Sequence, residues 1–247
     1  MAKATKQTDV KKLREELRKK ELQIETLSKV AGVLSSDMYL KEILDLIVSM
    51  TAQMMDSKIC SIMLLNEDND ELIIMATQSL SELYRNKPSI KIGKSISGIA
   101  VKEKRPVTVS DVTNDQRYMY PDIAKKEGLV SMVSVPMMVK NKVIGVINSY
   151  TSKKHKFTGE EIRVLQAVAN QAAVTIENTK LFDKARAMEE ALEARKLIER
   201  AKGILTREHS ISEDAAFRMI QKESMDSRKS MRDIAEAIVL AAKFKKA

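Results

Sequence analysis

Glycine and proline are scarce in this 247-residue chain, which contains seven glycines and four prolines. An ordinary domain has about 7% glycine and about 5% proline, so their number is less than half of expectation. All four prolines lie between Pro88 and Pro136, and five of the seven glycines lie between Gly93 and Gly159. Because these residues end helices, the sequence predicts long helices in the two flanks, and strands with turns in the middle.

Cysteine, histidine and long apolar runs are scarce as well. Cys60 is the single cysteine, and His155 and His209 are the only histidines. This excludes an internal disulfide and a zinc site built from several of these residues. No apolar run reaches 18 residues and residues 1–20 are rich in lysine, so we expect neither a transmembrane helix nor a secretory signal. No phosphate-binding loop, dinucleotide-binding glycine motif or nucleophile elbow occurs. We expect a cytoplasmic protein that is not an enzyme.

Charge, in contrast, is plentiful. Lysine and arginine total 43 against 34 acidic residues, a formal net charge of +9. The excess is spread along the chain, and no segment forms a polybasic arm. This balance is compatible with an anionic partner but does not identify one.

A heptad pattern extends from Val10 to Leu34, and residues 1–30 are the predicted coiled-coil helix. Apolar side chains recur at alternating spacings of three and four, with Lys20 as the exception, at Val10, Leu13, Leu17, Ile24, Leu27, Ala31 and Leu34. Over three heptads this pattern favours a coiled coil between two chains. The alternative is a helix that lies on the core of its own domain.

The middle of the chain, residues 31–182, predicts two β-hairpins. One pairs residues 59–65 with 72–76, and the other pairs residues 130–139 with 143–150. An amphipathic helix precedes them and a long helix follows. The fold class is therefore α+β, with an antiparallel sheet covered by helices.

The long helix begins at a capping box, Thr158 to Glu161, and extends to Arg207, about 75 Å at 1.5 Å per residue. A helix this long and polar usually needs a partner, so we expect a connector that forms a homodimer. Residues 183–247, which include the end of this long helix, are predicted to form a three-helix unit. Asp226 or Ser227 is the expected cap of the last helix.

The C-terminal segment resembles the ANTAR family over about 55 residues. The matching residues are Glu190 to Arg195, Ile198 to Leu205, Ser212-Glu213, Ala216-Phe217, Ser224-Met225, Ser227-Arg228 and Met231 to Ala235. The resemblance implies a three-helix RNA-binding module of bacterial transcription antitermination. Such modules bind paired stem-loops in nascent leader RNA, typically as dimers, and so prevent the terminator hairpin from forming.

The middle is similar to GAF sensor domains from about Val30 to Phe182. The matching residues are Gly93 to Ala100, Arg105 to Val107, Asp111-Val112, Ser134 to Met137, Val143 to Ile147, Phe157-Thr158, Gln171 to Ala173 and Ile176 to Asn178. The resemblance implies a regulatory pocket between the sheet and its helices. The cofactor is unknown, and a small-molecule effector is expected in that pocket.

Basic side chains of the ANTAR-like segment are the predicted RNA contacts. Lys202 lies between Ala201 and Gly203, whose small size lets RNA approach while the ammonium meets a phosphate. Arg228 and Arg232 are expected one turn apart on one face of the last helix, which suits a phosphate backbone. The alternative is a solvated helix face. The predicted set is Arg195, Lys196, Arg200, Lys202, Gly203, Arg228, Lys229 and Arg232.

Candidate ligand contacts lie in the GAF-like segment. Tyr118 and Tyr120 precede Pro121 in an expected lid, and methionines on the facing strands offer an adaptable lining. The predicted ligand set is Tyr118, Tyr120, Met132, Met137 and Met138. Core packing is the alternative role for all five.

We therefore predict a dimeric, signal-responsive RNA-binding antitermination regulator. Its expected parts are a coiled-coil helix (1–30), a GAF-like sensor (31–182) and an ANTAR-like domain with the connector end (183–247). One alternative is a GAF-type sensor or scaffold that acts through protein contacts without RNA. A small-molecule enzyme in the GAF-like pocket is a further alternative.

Overall fold

The structure is a computed structural model that describes residues 2–32, 39–66, 68, 70–79 and 81–244, without the side chains of residues 2–12, 19 and 31. The chain divides into two compact units, Met1–Lys180 and Leu181–Ala247. Within the described ranges, no helix is both long and apolar enough to span a membrane.

The first unit is built on a six-stranded antiparallel sheet. The strands lie in the order β3-β2-β1-β6-β5-β4. They are β1 (Ile59–Asn66), β2 (Glu71–Thr77), β3 (Ile90–Lys91), β4 (Val107–Val109), β5 (Ser131–Val139) and β6 (Lys142–Thr151). The helices are α1 (Ala2–Gly32), α2 (Leu40–Met54), α3 (Glu82–Arg85), α4 (Ser95–Glu103), α5 (Pro121–Glu127) and the first part of α6 (Gly159–His209).

Both faces of the sheet are covered, which explains the nearly continuous apolar runs of the central strands. One face packs on α2 and α6, where Ile47 and Leu165 are fully buried. The other face packs beneath α3, α4 and α5, where Tyr84 and Ile96 are fully buried. The predicted α+β class, with an antiparallel sheet covered by helices, is confirmed.

Helix α1 contacts its own unit through its C-terminal part, where the heptad residue Leu27 packs on the core. Thr26 and Val30 are buried, and the Val30 carbonyl accepts a hydrogen bond from Thr175 Oγ1. The seam residues Leu13, Leu17 and Ile24 are instead 59–69% exposed. The end of the helix therefore packs on its own core, while a coiled coil between two chains through the exposed positions stays a prediction. Val10, Ala31 and Leu34 lie outside the described side chains.

The second unit contains the end of α6 with α7 (Glu213–Ser227) and α8 (Met231–Phe244). Its small core is formed by Ala201, Leu205, Ala216, Ile220, Ile234 and Ala235. The cap of α7 is Ser212, whose side chain accepts from the Ala215 amide. The expected cap of α8 is wrong, because Asp226 and Ser227 still belong to α7. Ser230 and Asp233 exchange the capping hydrogen bonds instead.

Candidate nucleic-acid interface and sensor pocket

Lys202 is not a free cation. Its side chain is only 15% exposed, and Nζ lies 3.0 Å from Glu199 Oε2 and 3.6 Å from Glu213 Oε2. Glu199, and less strongly Glu213, raises the pKa of Lys202. Because Glu213 begins α7, this ammonium links the end of α6 to the start of the next helix. An RNA phosphate at Lys202 would have to compete with two carboxylates.

A second basic group surrounds Glu193 on another side of α6. Lys196 Nζ lies 2.7 Å from Glu193 Oε1, and Lys196, then Arg232 and Arg200, lower the pKa of Glu193. The fold therefore brings Arg232 from α8 to the side of α6 that carries Arg200. One carboxylate faces three cations, so this group, which we call the Glu193 cluster, keeps a net positive charge.

A surface hollow of about 650 Å³ adjoins the Glu193 cluster. Its lining is Leu192, Glu193, Arg195, Lys196, Leu197, Glu199 and Arg200. Arg195, Lys196 and Arg200 are all exposed. Four of the predicted RNA contacts, Arg195, Lys196, Arg200 and Arg232, therefore lie at one place on this unit.

Arg228 does not lie on the last helix. It caps the end of α7 in the left-handed conformation, with φ of 56° and ψ of 29°. Arg228 and Arg232 are therefore not one turn apart on a shared helix face, and the predicted geometry is wrong. A cation at the C-terminal end of a helix is favoured by the helix dipole, so Arg228 is well placed at the end of α7. Lys229 follows in the same exposed loop, where its carbonyl accepts a hydrogen bond from Ser224.

Gly203 lies in the interior of α6 and faces open space. A Cβ at this position would meet no other atom within 4 Å. No segment of the described chain approaches it closely, so a packed helix does not explain this glycine.

The five predicted ligand residues divide between the two faces of the sheet. Tyr118, Met132 and Met138 lie with Tyr120 on the face covered by α3, α4 and α5. Met137 lies on the opposite face, in the core shared with α2 and α6. The alternation of side chains along β5 accounts for this separation.

Four tyrosine rings surround one buried lysine, and no pattern in the sequence indicates this arrangement. Lys87 follows α3 and is 8% exposed, and its Nζ lies 4.8 Å from the ring centre of Tyr84. The ring centres of Tyr120, Tyr118 and Tyr150 lie at 5.3, 5.5 and 5.9 Å. We call these four rings the tyrosine cage. Burial lowers the pKa of Lys87 to about 8, and ring faces attract an ammonium at these distances.

Polar side chains form a row across the sheet beneath the same helices. Ser61 pairs in register with Asn148, and Asn148 pairs with Ser134. All three are at most 1% exposed. Ser97 Oγ donates to Asn148 Oδ1 at 3.0 Å, and Ser61 Oγ lies 3.0 Å from Tyr84 Oη. Burying a polar group is costly unless the group is hydrogen-bonded, so such a row of polar side chains is unusual in a hydrophobic core.

Cys60 lies on the other face of the sheet and is fully buried. Burial raises the pKa of its thiol to about 12. The thiolate is the reactive form of cysteine, so this side chain is an inert core residue.

Two families match the chain, in the order expected. The GAF domain family matches residues 38–177, which is more than half of the chain, and the ANTAR domain family matches residues 186–239. The tyrosine cage lies within the first match and the Glu193 cluster within the second.

Curated relatives match each part separately. The transcriptional regulatory protein PdtaR of Mycobacterium tuberculosis is 43% identical over 63 residues, covering 26% of this chain and 31% of that protein. The methyl sulfide methyltransferase-associated sensor of Methanosarcina acetivorans is 26% identical over 161 residues, covering 63% of this chain and 16% of that protein. The chain thus spans at most about a third of these relatives.

Solved structures share the fold of the first unit. The GAF domain of an Acinetobacter phosphoenolpyruvate-protein phosphotransferase has a TM-score of 0.56 at 22% identity, covering 66% of this chain and 97% of that chain. The free methionine-R-sulfoxide reductase of Neisseria meningitidis has a TM-score of 0.55 at 18% identity, covering 64% of this chain and 90% of that chain. At these identities the likeness concerns the fold alone.

Proposed function

We propose that this chain, which belongs to the GAF domain family and carries an ANTAR domain after its GAF domain, is a signal-responsive RNA-binding regulator of transcription antitermination. It binds paired stem-loops in nascent leader RNA and prevents the terminator hairpin from forming. Because nascent RNA is its target, it works in the cytoplasm. Its parts are the helix of residues 1–30, the sensor of residues 31–182 and the RNA-binding part of residues 183–247.

The Glu193 cluster is the observation that carries this proposal. Lys196 pairs with Glu193, Arg232 and Arg200 lie near enough to lower the pKa of that carboxylate, and Arg195 lines the adjoining hollow. Exposed cations at one place favour a phosphate backbone, because each neutralised phosphate releases counterions. Arg228 and Lys229 extend the interface through the loop between α7 and α8. Gly203 offers RNA an open surface, whereas Lys202 contributes mainly by holding α7 to α6.

An RNA gel shift with the full chain tests this function. A leader RNA with two adjacent stem-loops is compared with a one-loop RNA over a range of salt concentrations. Arg200→Ala with Arg232→Ala should weaken binding to the two-loop RNA at least about tenfold. The slope of log affinity against log salt should fall by about 0.7 for each lost phosphate contact on single-stranded RNA.

The control is Arg218→Ala with Lys222→Ala, which removes two exposed cations one turn apart on α7. We expect its affinity and salt slope to match those of the wild type. Equal losses of affinity in both double variants would mean that RNA binding depends on the overall charge and not on the Glu193 cluster. If the wild type does not bind two-loop RNA, the result would instead favour a sensor or scaffold that acts through protein contacts.

The proposed assembly is a homodimer. Along α6, Leu181, Met188 and Leu192 follow a spacing of seven and four and are 53–75% exposed. With Ala185 they form an apolar seam of the kind that two helices bury against each other. The seam of Leu13, Leu17 and Ile24 is a second such surface. Pairing of these seams would set the separation of two RNA-binding units.

We further propose that the GAF domain responds to a small-molecule effector and has no catalytic role. The effector would act by changing how the connector helices pair. A reductase chemistry like that named for the Neisseria structure would, if based on thiols, need an accessible thiolate. The single thiol of this chain, Cys60, is fully buried and protonated.

A further inference from the structure

Lys87 is a buried cation without an anion. Among the described residues, no carboxylate pairs with its ammonium, which lies over the four rings of the tyrosine cage. Charges inside proteins are normally paired, because an isolated charge loses its hydration without compensation. Ring faces replace part of that hydration but accept no strong hydrogen bond. The ammonium therefore has no counter-ion among the described residues.

A second donor on the same face of the sheet is also unused. The hydroxyl of Ser134 is buried and has no hydrogen-bond partner, whereas the buried hydroxyl of Tyr118 has only that of Tyr150 beside it. Tyr118 belongs to the cage, and Ser134 ends the polar row that begins at Ser61. The ammonium of Lys87 has no counter-ion and the Ser134 hydroxyl has no acceptor, and both lie on this face of the sheet. Tyr120 is half-buried, so the cage reaches the solvent on its side.

We propose that the GAF domain binds a small molecule with one carboxylate, which pairs with the ammonium of Lys87 inside the tyrosine cage. This inference rests on the proposed function, since it names the chemical class of the effector. A single carboxylate matches the single buried cation. A dianionic phosphate would leave a net negative charge in an apolar surrounding, which is costly. An organic cation would face an ammonium that already occupies the cage.

Tyrosine emission provides a direct readout of binding. The chain has no tryptophan and five tyrosines, and four of these form the cage. The full chain is titrated with sodium acetate, propionate and butyrate up to about 100 mM, a range that detects dissociation constants near the millimolar level. Butyramide has the shape of butyrate without its charge, and sodium chloride controls for ionic strength.

The expected result is a saturable change in emission with the carboxylates and none with butyramide or chloride. Lys87→Met, which keeps the length of the side chain without its charge, should weaken butyrate binding at least about tenfold. Lys91→Met removes an exposed lysine of β3 and should bind butyrate like the wild type. Near-ultraviolet circular dichroism and thermal melting show whether each variant keeps the native packing.

Several outcomes would overturn the proposal. These are undiminished butyrate binding to a folded Lys87→Met variant, equal binding of butyramide, tighter binding of inorganic phosphate than of acetate, or no saturable response of the wild type to any of the three carboxylates. RNA binding is measured separately by gel shift. A chain that binds RNA but no carboxylate refutes this inference alone, and one that binds carboxylate but no RNA refutes only the proposed function.

Discussion

At the scale of single residues, the structure changes the meaning of several charged side chains. Lys202 and Lys196 look alike in the sequence, yet one is held between two carboxylates and the other lies in a cluster with net positive charge. Lys87 has no feature in the sequence that separates it from other lysines. Its burial among four rings makes it the most unusual charge in the described part of the chain.

Lys87 should make the stability of the GAF domain depend on pH. Its folded pKa is lowered to about 8 from 10.5, so between these values the unfolded chain binds more protons and the free energy of unfolding rises with pH. From pH 7.5 to 9 the wild type should gain about 1 kcal/mol relative to Lys87→Met, measured by chemical denaturation. The pH range of this prediction ends near pH 9. Above it, the raised pKa values of Cys60 and of the buried tyrosines make the free energy of unfolding fall as the pH rises. A constant difference between the two proteins would contradict the burial of a charged Lys87.

At the scale of elements, α1 and α6 show how two faces of one helix take separate roles. The heptad pattern of α1 was visible in the sequence, and its member Leu27 packs on the domain core. The contact also uses Gln23, Thr26 and Val30, two of which are polar, so the hydrophobic pattern indicated only part of this face. In α6, the scarcity of glycine and proline correctly predicted one long helix, whose only internal glycine is Gly203.

Gly203→Ala should separate stability from RNA recognition. The new methyl group meets no atom, so α6 should gain about 1 kcal/mol from the better helix propensity of alanine. If RNA approaches the backbone here, the same methyl group should weaken RNA binding. Melting and gel shift together measure both effects. Gly32→Ala at the end of α1 is equally open and serves as the control, and an unchanged affinity of Gly203→Ala would exclude close approach of RNA at this point.

At the scale of the whole molecule, two exposed apolar seams lead us to expect a dimer. Light scattering of the full chain at micromolar concentration should give twice its mass of 27.8 kDa. Leu181→Lys with Met188→Lys places charges in the seam of α6 and should shift the equilibrium towards monomers. Tyr39→Lys changes another exposed large side chain outside both seams and should not. A monomeric wild type would contradict the proposal that these seams are dimer surfaces.

The fold class, the order of the two families and the long helix could be predicted from the amino-acid sequence, because they depend on periodicity, on glycine and proline, and on contiguous motifs. The three-dimensional structure was needed to show which face of the sheet Met137 occupies, that Arg228 ends α7, and that Arg232 lies near Glu193. It also brought Lys87, Tyr84, Tyr118, Tyr120 and Tyr150 together from three separate parts of the chain. The physical reason is that charge pairing and burial depend on distances between residues far apart in the chain, whereas helix and strand patterns are local.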